Sequence, residues 1–399
     1  MKIGIDIRPL QRETRFRGIG KYLEHLLLAM AKLPDEHHFV FYAEGGLPLP
    51  KNVIDAFRDK EVILLPAYRL SRIRFVRAFA PPSRIIKPAN DEVDVMFVAD
   101  ATVGMPDFNP TVAAFHDAIP LLFQDKEVIE QSRGWRKLKR QLASALYWRK
   151  YQAFLNSFTR IDHIVPISEQ SARDLHKYVP VTKDIPYDVI YLGALPLTTA
   201  GKKPQLPKGL SPQDKFLLYV GGIDLRKNIA GLARDYVEVH RTHPDLKLVV
   251  VGKEFGLKDQ LADYGWFKPF ESVKYNDCVV APGYVDDASL ALLYEKAEAF
   301  VLPSLYEGFG LPVLEAMQAG CPVVMYDNSS LPEVAGDATL MVKNGAPMAS
   351  AINRLLGDNK LRERLIRDGK VQAKKFSWDK SARATLDVLV KTAESNDGE

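Results

Sequence analysis

The chain has 399 residues, 47% hydrophobic and 26% charged, with a net charge of +4, an ordinary soluble balance whose length favours two domains over one. Its two cysteines, Cys278 and Cys321, lie far apart without metal-ligand spacing, which argues against a disulfide framework and fits a reducing compartment. No apolar run approaches the ~20 residues of a membrane span, and the opening Met1-Lys-Ile-Gly-Ile-Asp reads as a strand rather than a leader, so a cytoplasmic protein is expected.

In chain order, residues 2–7 form a β-branched run, and after an Arg-rich loop the glycines Gly18 and Gly20 lead into a helix over 21–32. Small residues at a helix entry let a ligand reach the backbone amides, although many helices start this way without one. Arg12, Arg15 and Arg17 nearby suit a phosphate-bearing acceptor or lie solvated. Strands are predicted at 39–42, 61–65 and 93–98. The positive surplus lies in residues 1–195, and two stretches there, 68–88 and 131–160, mix Arg and Lys with aromatics and contain no acid. On an amphipathic helix that mix suits anionic lipid headgroups, and peripheral contact with the inner face of a membrane is expected; a solvated helix face is the plain alternative. No nucleic-acid-binding motif accompanies the charge.

A strand over 112–115 ends in His116-Asp117-Ala-Ile-Pro, presenting the side chain best able to exchange a proton or donate a hydrogen bond near neutral pH. Asp117 either orients that imidazole or caps the turn. Residues 161–166 form a strand that enters a helix through Ser168, with Glu169 and Gln170 placed as in a capping box. An extended run at 189–192 closes a first domain over 1–195, and the Pro/Gly/Lys-rich stretch 196–214 reads as a linker.

The second domain, 215–375, opens with a buried strand over 216–220, then Gly221-Gly222-Ile-Asp-Leu-Arg226-Lys227-Asn and a helix over 229–240. Two glycines at a strand end and adjacent cations before a helix N-terminus make a diphosphate site, with donors from the backbone and charge from the side chains. A glycine turn with solvated Arg and Lys is the plain alternative. Strands follow at 246–251 and 279–280, and after Gly283-Tyr284-Val285 either Asp286 or Asp287 caps a helix over 288–297. Residues 263–278 form an aromatic-rich insertion.

A short apolar strand at 299–302 then runs through Glu307-Gly308-Phe309-Gly310-Leu311 into a helix beginning near Pro312, with Glu315 in its first turn and Gly320 at its end. This is a βαβ element whose loop lies at the carboxyl end of its first strand, where doubly wound sheets bind ligands. Uncovered amides at a helix N-terminus favour an anionic or polyhydroxylated ligand, and two carboxylates suit sugar and ribose hydroxyls. A tight turn followed by an ordinary first-turn acid is the plain reading. Residues 329–333 open a helical turn, 351–375 is strongly helical, and a last helix over 379–393 precedes a polar tail, 394–399, expected to be disordered.

The segment Glu307-Gly-Phe-Gly-Leu-Pro-Val-Leu-Glu315-Ala, with Pro303-Ser304 before it and Ala319-Gly320-Cys-Pro-Val-Val after it, resembles the Glu-x7-Glu signature of retaining GT-B glycosyltransferases of family four. The resemblance implies an α/β fold of two Rossmann-like domains facing across a cleft, with a C-terminal helix, within 376–399, crossing back to the first domain. It implies a nucleotide-sugar donor on the second domain: Gly222, Arg226 and Lys227 at the diphosphate, Gly283, Tyr284 and Val285 at the nucleobase, Glu307 and the Gly308, Phe309, Gly310 and Leu311 loop under the sugar, Glu315 on the ribose. It further implies that Gly18 and Gly20 face the donor diphosphate and acceptor, and that His116 lies by the reacting sugar.

The implied chemistry is metal-independent hexosyl transfer with retention, Arg226 and Lys227 carrying the leaving-group charge. The overall look, with Asp6-Ile-Arg-Pro and Phe115-His-Asp-Ala-Ile-Pro, is similar to polysaccharide and O-antigen mannosyl- and rhamnosyltransferases. It favours mannose from GDP-mannose and a glycan or lipid-diphosphate-linked acceptor, with a UDP-sugar or dTDP-rhamnose as alternative donors. A sugar-nucleotide epimerase or hydrolase, or a non-catalytic scaffold subunit, are the rival readings on the same scaffold.

Overall fold

The computed structural model describes residues 1–12, 15, 18–34, 37–65, 93–100, 105–123, 155, 158–194, 203–256 and 278–396. The chain divides into two compact units, one of Met1–Gly193 with Ser377–Glu399 and one of Ala194–Phe376. The basic stretch 68–88, nearly all of 131–160, Arg17 and most of 263–278 lie outside the described residues.

The first unit is built on β1 (Lys2–Asp6), β2 (His38–Glu44), β3 (Lys60–Leu65), β4 (Val95–Val98), β5 (Thr111–Phe115) and β6 (His163–Pro166). They form one parallel sheet in the order β3-β2-β1-β4-β5-β6. Parallel strands joined by crossovers are covered on both faces, which explains why β4, and β5 after its opening Thr111, are apolar runs buried at every position. The described helices are α1 (Gly18–Met30), α2 (Lys51–Ile54), α3 (Ile119–Leu122), α4 (Glu169–Tyr178) and, from the far end of the chain, α11 (Trp378–Asn396). Helix α11 buries Ala382, Leu386, Leu389 and Ala393 along one stripe and packs on α1 and on β4, β5 and β6.

The second unit repeats the plan with β7 (Phe216–Val220), β8 (Lys247–Val251), β9 (Val279–Gly283), β10 (Ala299–Leu302), β11 (Val323–Asp327) and β12 (Leu340–Lys343). Their order is β12-β11-β10-β7-β8-β9. Read from the other edge, this is again the 3-2-1-4-5-6 arrangement of a dinucleotide-binding sheet, with its order reversing between β7 and β10. The flanking helices are α5 (Ile229–Thr242), α6 (Asp287–Lys296), α7 (Leu311–Ala319), α8 (Leu331–Ala335), α9 (Ala349–Gly357) and α10 (Asn359–Ala373).

Several boundaries differ from the sequence reading. Helix α1 begins at Gly18, so Gly18 and Gly20 form its first turn rather than precede it; first-turn amides need no intrahelical partner, so glycine is tolerated there. The helical stretch 351–375 is two helices, because Asp358 leaves helical geometry (φ −119°, ψ 92°) and its carboxylate accepts the Leu361 amide to start α10. Residues 394–396, expected as disordered tail, continue α11. Strand β12 was not anticipated; its residues are only half-buried and give a weak apolar signal. The extended run 189–192 is as expected, and its start is hydrogen-bonded to β6 through Asp188 N–H to Ile164 O and Ile190 N–H to Pro166 O. Residues 203–214, expected as linker, are held within the second unit: Lys247 Nζ donates to Asp214 Oδ2 at 2.8 Å and Gln205 N–H to Ser289 Oγ at 3.2 Å. No described helix is long and apolar enough to cross a membrane.

One close backbone approach sets the spacing of the strand ends near the switch point. A Cβ on Gly252, just after β8, would lie 2.1 Å from the carbonyl oxygen of Gly221, just after β7. Backbone cannot rotate away from such a clash, so Gly252→Ala is expected to destabilise the protein by about 1–3 kcal/mol. Denaturant unfolding of the variant checks this, and an unchanged midpoint would contradict it.

Candidate functional site

Strands β7 and β10 are hydrogen-bonded neighbours, with Leu217 opposite Ala299 and Leu218 opposite Phe300. The two loops that leave their carboxyl ends therefore start side by side, although about 80 residues separate them. The β7 loop makes a single 3-10 turn, Leu225–Lys227, and enters α5 through Asn228 in the left-handed region (φ 49°). Asparagine tolerates that conformation, and its side-chain oxygen accepts the Gly231 amide at 3.2 Å. The turn places Arg226 and Lys227 against the β10 loop, where the Leu305 N–H donates to the Arg226 carbonyl at 2.7 Å.

This juxtaposition brings three of the expected site residues together. Lys227 Nζ donates to Glu307 Oε1 at 2.6 Å, and Arg226 donates to Glu307 Oε2 at 2.9 Å and to the Tyr306 carbonyl at 3.2 Å. Lys227 and Glu307 are each only 7% exposed. Burial alone would push the Glu307 carboxyl up; Lys227 and then Arg226 outweigh it and hold the group below the ordinary carboxylate range. The carboxylate is thus held in its ionised form in a largely buried cluster, with two basic side chains against it at the N-terminal end of α5.

The backbone of Glu307 is gripped from the other side by the approach to α8. Its N–H donates to Ser329 Oγ and its carbonyl accepts from Ser330 Oγ, both at 2.9 Å. Gly310 (φ 102°) then turns the chain into α7, and Gly320 (φ 78°) ends that helix; both conformations favour glycine. Because α7 starts at Leu311 with Pro312 second, Glu315 is its fifth residue and lies past the first turn, contrary to expectation. The first-turn-acid reading therefore fails for Glu315, which is 5% exposed and accepts a hydrogen bond from Tyr294 of α6 at 2.9 Å.

The remaining expected residues of this unit sit at neighbouring strand ends. Gly222 presents its carbonyl to Tyr219, whose hydroxyl donates at 2.7 Å; burial keeps that phenol protonated. Gly283 (φ 79°) ends β9 and accepts the Gly252 amide at 3.0 Å. Tyr284 beyond it is 72% exposed, Val285 is half-buried, and Asp286 caps α6 by accepting the Ser289 amide.

In the first unit, His116 follows β5 and its Nε2 lies 2.8 Å from the Ala99 carbonyl at the end of β4. A carbonyl only accepts, so Nε2 carries the proton and the neutral ring keeps Nδ1 as acceptor. Burial lowers the imidazole's proton affinity, partly countered by that hydrogen bond and by Asp100 and Asp117. Tyr22 of α1, two residues after Gly20, packs edge-on against the ring at 4.9 Å. Asp117 caps the following turn, accepting the Ile119 amide at 2.8 Å. Ser168 caps α4, but the third helical position belongs to Ser171, so Glu169 and Gln170 complete no capping box. Ser171 instead donates to the His116 carbonyl at 2.7 Å and ties that turn to α4.

Sequence reasoning did not single out Ser329, Ser330, Tyr294, Tyr219 or Ser171. The pair Ser329-Ser330 ahead of Leu-Pro was legible as a helix entry, but its grip on a loop 22 residues earlier was not. Nor did the spacing show that Asp6 and Arg8 close a buried two-point ion pair at the end of β1, at 2.8 and 2.6 Å.

The chain is similar to known families and proteins. Residues 16–194 match the family Glycosyltransferase Family 4, and residues 203–372 match Glycosyl transferases group 1. The O-antigen chain mannosyltransferase B of Escherichia coli is 30% identical over 97% of this chain and 99% of its own length. The serotype-specific mannosyltransferase WbdA of Escherichia coli is 28% identical over 99% of this chain, which spans 49% of WbdA. Among solved structures, sucrose-phosphate synthase from Thermosynechococcus elongatus shares the fold with a TM-score of 0.68 at 21% identity, covering 98% of each chain. The relative that is 30% identical over 97% of this chain, with family matches over both halves, places this chain among the group 1 glycosyltransferases of family four.

Proposed function

We propose that this glycosyltransferase moves mannose from GDP-mannose to a glycan or lipid-diphosphate-linked acceptor in cell-surface polysaccharide synthesis, with retention and without a metal ion. The observation that carries the reading is the meeting of Arg226, Lys227 and Glu307 at the β7/β10 switch point. Such a site suits a ligand that joins a diphosphate to a sugar. The two O-antigen mannosyltransferase relatives support mannose and a polysaccharide context.

In this reading the donor diphosphate rests on Arg226, Lys227 and the first amides of α5, near Gly222. Glu307 and the Gly308–Gly310 amides face the hexose, Glu315 the ribose, and Gly283, Tyr284 and Val285 the base. Gly18, Gly20 and His116 serve acceptor and sugar from the first unit. The C1–O bond to phosphate breaks with its electron pair going to the phosphate, the acceptor oxygen bonds C1 from the same face, and its proton passes to the departing phosphate oxygen. Two fixed cations stabilise the charge that grows on the leaving group, the part a metal plays elsewhere. His116, neutral with Nδ1 as acceptor, would take a hydrogen bond from a sugar hydroxyl rather than act as an acid.

Thermal shift against GDP, UDP, dTDP, ADP and their common sugars should give a selective rise with GDP and GDP-mannose. In Arg226→Ala that rise should shrink and kcat/KM fall by about 10²–10³-fold. A selective shift with another diphosphate would replace mannose as the sugar, and no shift at all would sink the donor reading. The anomeric configuration of the product, read by NMR, tests retention.

The His116 environment gives a pH prediction with a definite sign. Its folded proton affinity lies below the ordinary value of 6.5, so below that pH the unfolded chain binds the proton first and stability rises with pH. Stability and kcat/KM should therefore hold from neutral pH upward and decline only below about pH 6.5. Denaturation midpoints across pH, compared between wild type and His116→Gln, should show a weaker acid decline in the variant; identical profiles would contradict the assignment.

A further inference from the structure

The carboxylate assigned to the hexose is already engaged. Glu307 commits one oxygen to Lys227 at 2.6 Å and the other to Arg226 at 2.9 Å, the two cations assigned to the diphosphate. Lys227 is 7% exposed, and a cation buried to that degree without a counter-charge would be strongly destabilising. A diphosphate arriving at the same cations brings at least two negative charges beside a third that is fixed there. At short range among side chains this buried that repulsion is only weakly screened. Phosphate and Glu307 therefore compete for one pair of partners.

We propose that Glu307 is the internal counter-ion of Arg226 and Lys227, displaced when a diphosphate binds them and only then released to the hexose hydroxyls. This rests on the donor reading above and extends it to the order of recognition. The main chain of Glu307 need not move, since Ser329 and Ser330 hold its N–H and carbonyl from outside the ion cluster. Rotation of its side chain is sufficient. The only other carboxylate within 4 Å of the cations among the described residues is Asp224, 3.9 Å from Arg226 and 70% exposed, where water screens it.

Two functional consequences follow from the competition. A free hexose offers nothing to displace Glu307 and so meets a carboxylate that is occupied, which makes the enzyme select sugar and diphosphate as one unit. After transfer, the return of Glu307 to the cations helps expel the nucleoside diphosphate. Specificity and product release are then two directions of one side-chain exchange.

The test is calorimetric titration of inorganic pyrophosphate and of GDP into wild type, Glu307→Gln and Arg226→Ala. Glu307→Gln is expected to bind pyrophosphate about five-fold or more tightly than wild type, since removing a competitor raises affinity by its coupling factor, while Arg226→Ala binds more weakly. Equal or weaker binding by Glu307→Gln, with wild type and Arg226→Ala behaving as expected, overturns this proposal alone. No binding to wild type, or no effect of Arg226→Ala, overturns the donor reading and this inference with it. Should Glu307→Gln lose its native circular dichroism, Glu307→Asp carries the same test, because it withdraws the carboxylate by one methylene and should also tighten pyrophosphate.

Discussion

The carboxylate of Glu307, clasped between Lys227 and Arg226, is the contact on which the joining of the β7 and β10 loops depends. A buried carboxylate and two cations are costly to bring out of water, and the cost is met only if the geometry is closely held. The sheet order supplies the coarse placement by setting β7 beside β10. The fine placement comes from backbone conformations that few residues tolerate: Asn228 and Ser329 at positive φ, Gly310 opening α7. Each of these positions turns the chain so that charge converges on one point.

The two units share a strand order and differ in how charge is handled at the reversal. In the first, Asp6 and Arg8 neutralise one another within three residues of the same strand end, 1% and 2% exposed. Glu44 and Asp100 add their charge to that pair. In the second, the compensating carboxylate arrives from a loop 80 residues further on, so its charge balance depends on how a separate segment is posed. One arrangement closes within three residues of chain, the other across the two loops that leave β7 and β10.

Most of this architecture was legible because parallel buried strands write themselves as short apolar runs. Phe216–Val220 and Ala299–Leu302 were expected at the bounds observed. The edge strand β12 escaped because half of its surface faces water and the run is not purely apolar. The Asp358 break escaped because a charged, helix-forming composition runs straight through it. At the site, local glycine and charge spacing pointed to Arg226, Lys227 and Glu307 one by one. Their mutual pairing was not legible, since it is a consequence of strand order and not of any local pattern. Glu315 shows the converse, its spacing suggesting an ordinary first-turn acid until the observed start of α7 and the Tyr294 hydroxyl placed it in a buried polar contact.

The composition of the first unit, which takes in both ends of the chain, bears on how the protein is made. The second unit is one uninterrupted segment and has all its strands in hand by the time residue 376 leaves the ribosome. The first has its six described strands far earlier, yet the apolar surface of α1 and of β4 to β6 that α11 covers stays bare until residues 378–396 are synthesised. For the length of translation of the whole second unit, that surface is an open hydrophobic face on a nascent chain. Helix α11 is therefore less an appendage than the closing step of the first unit's core.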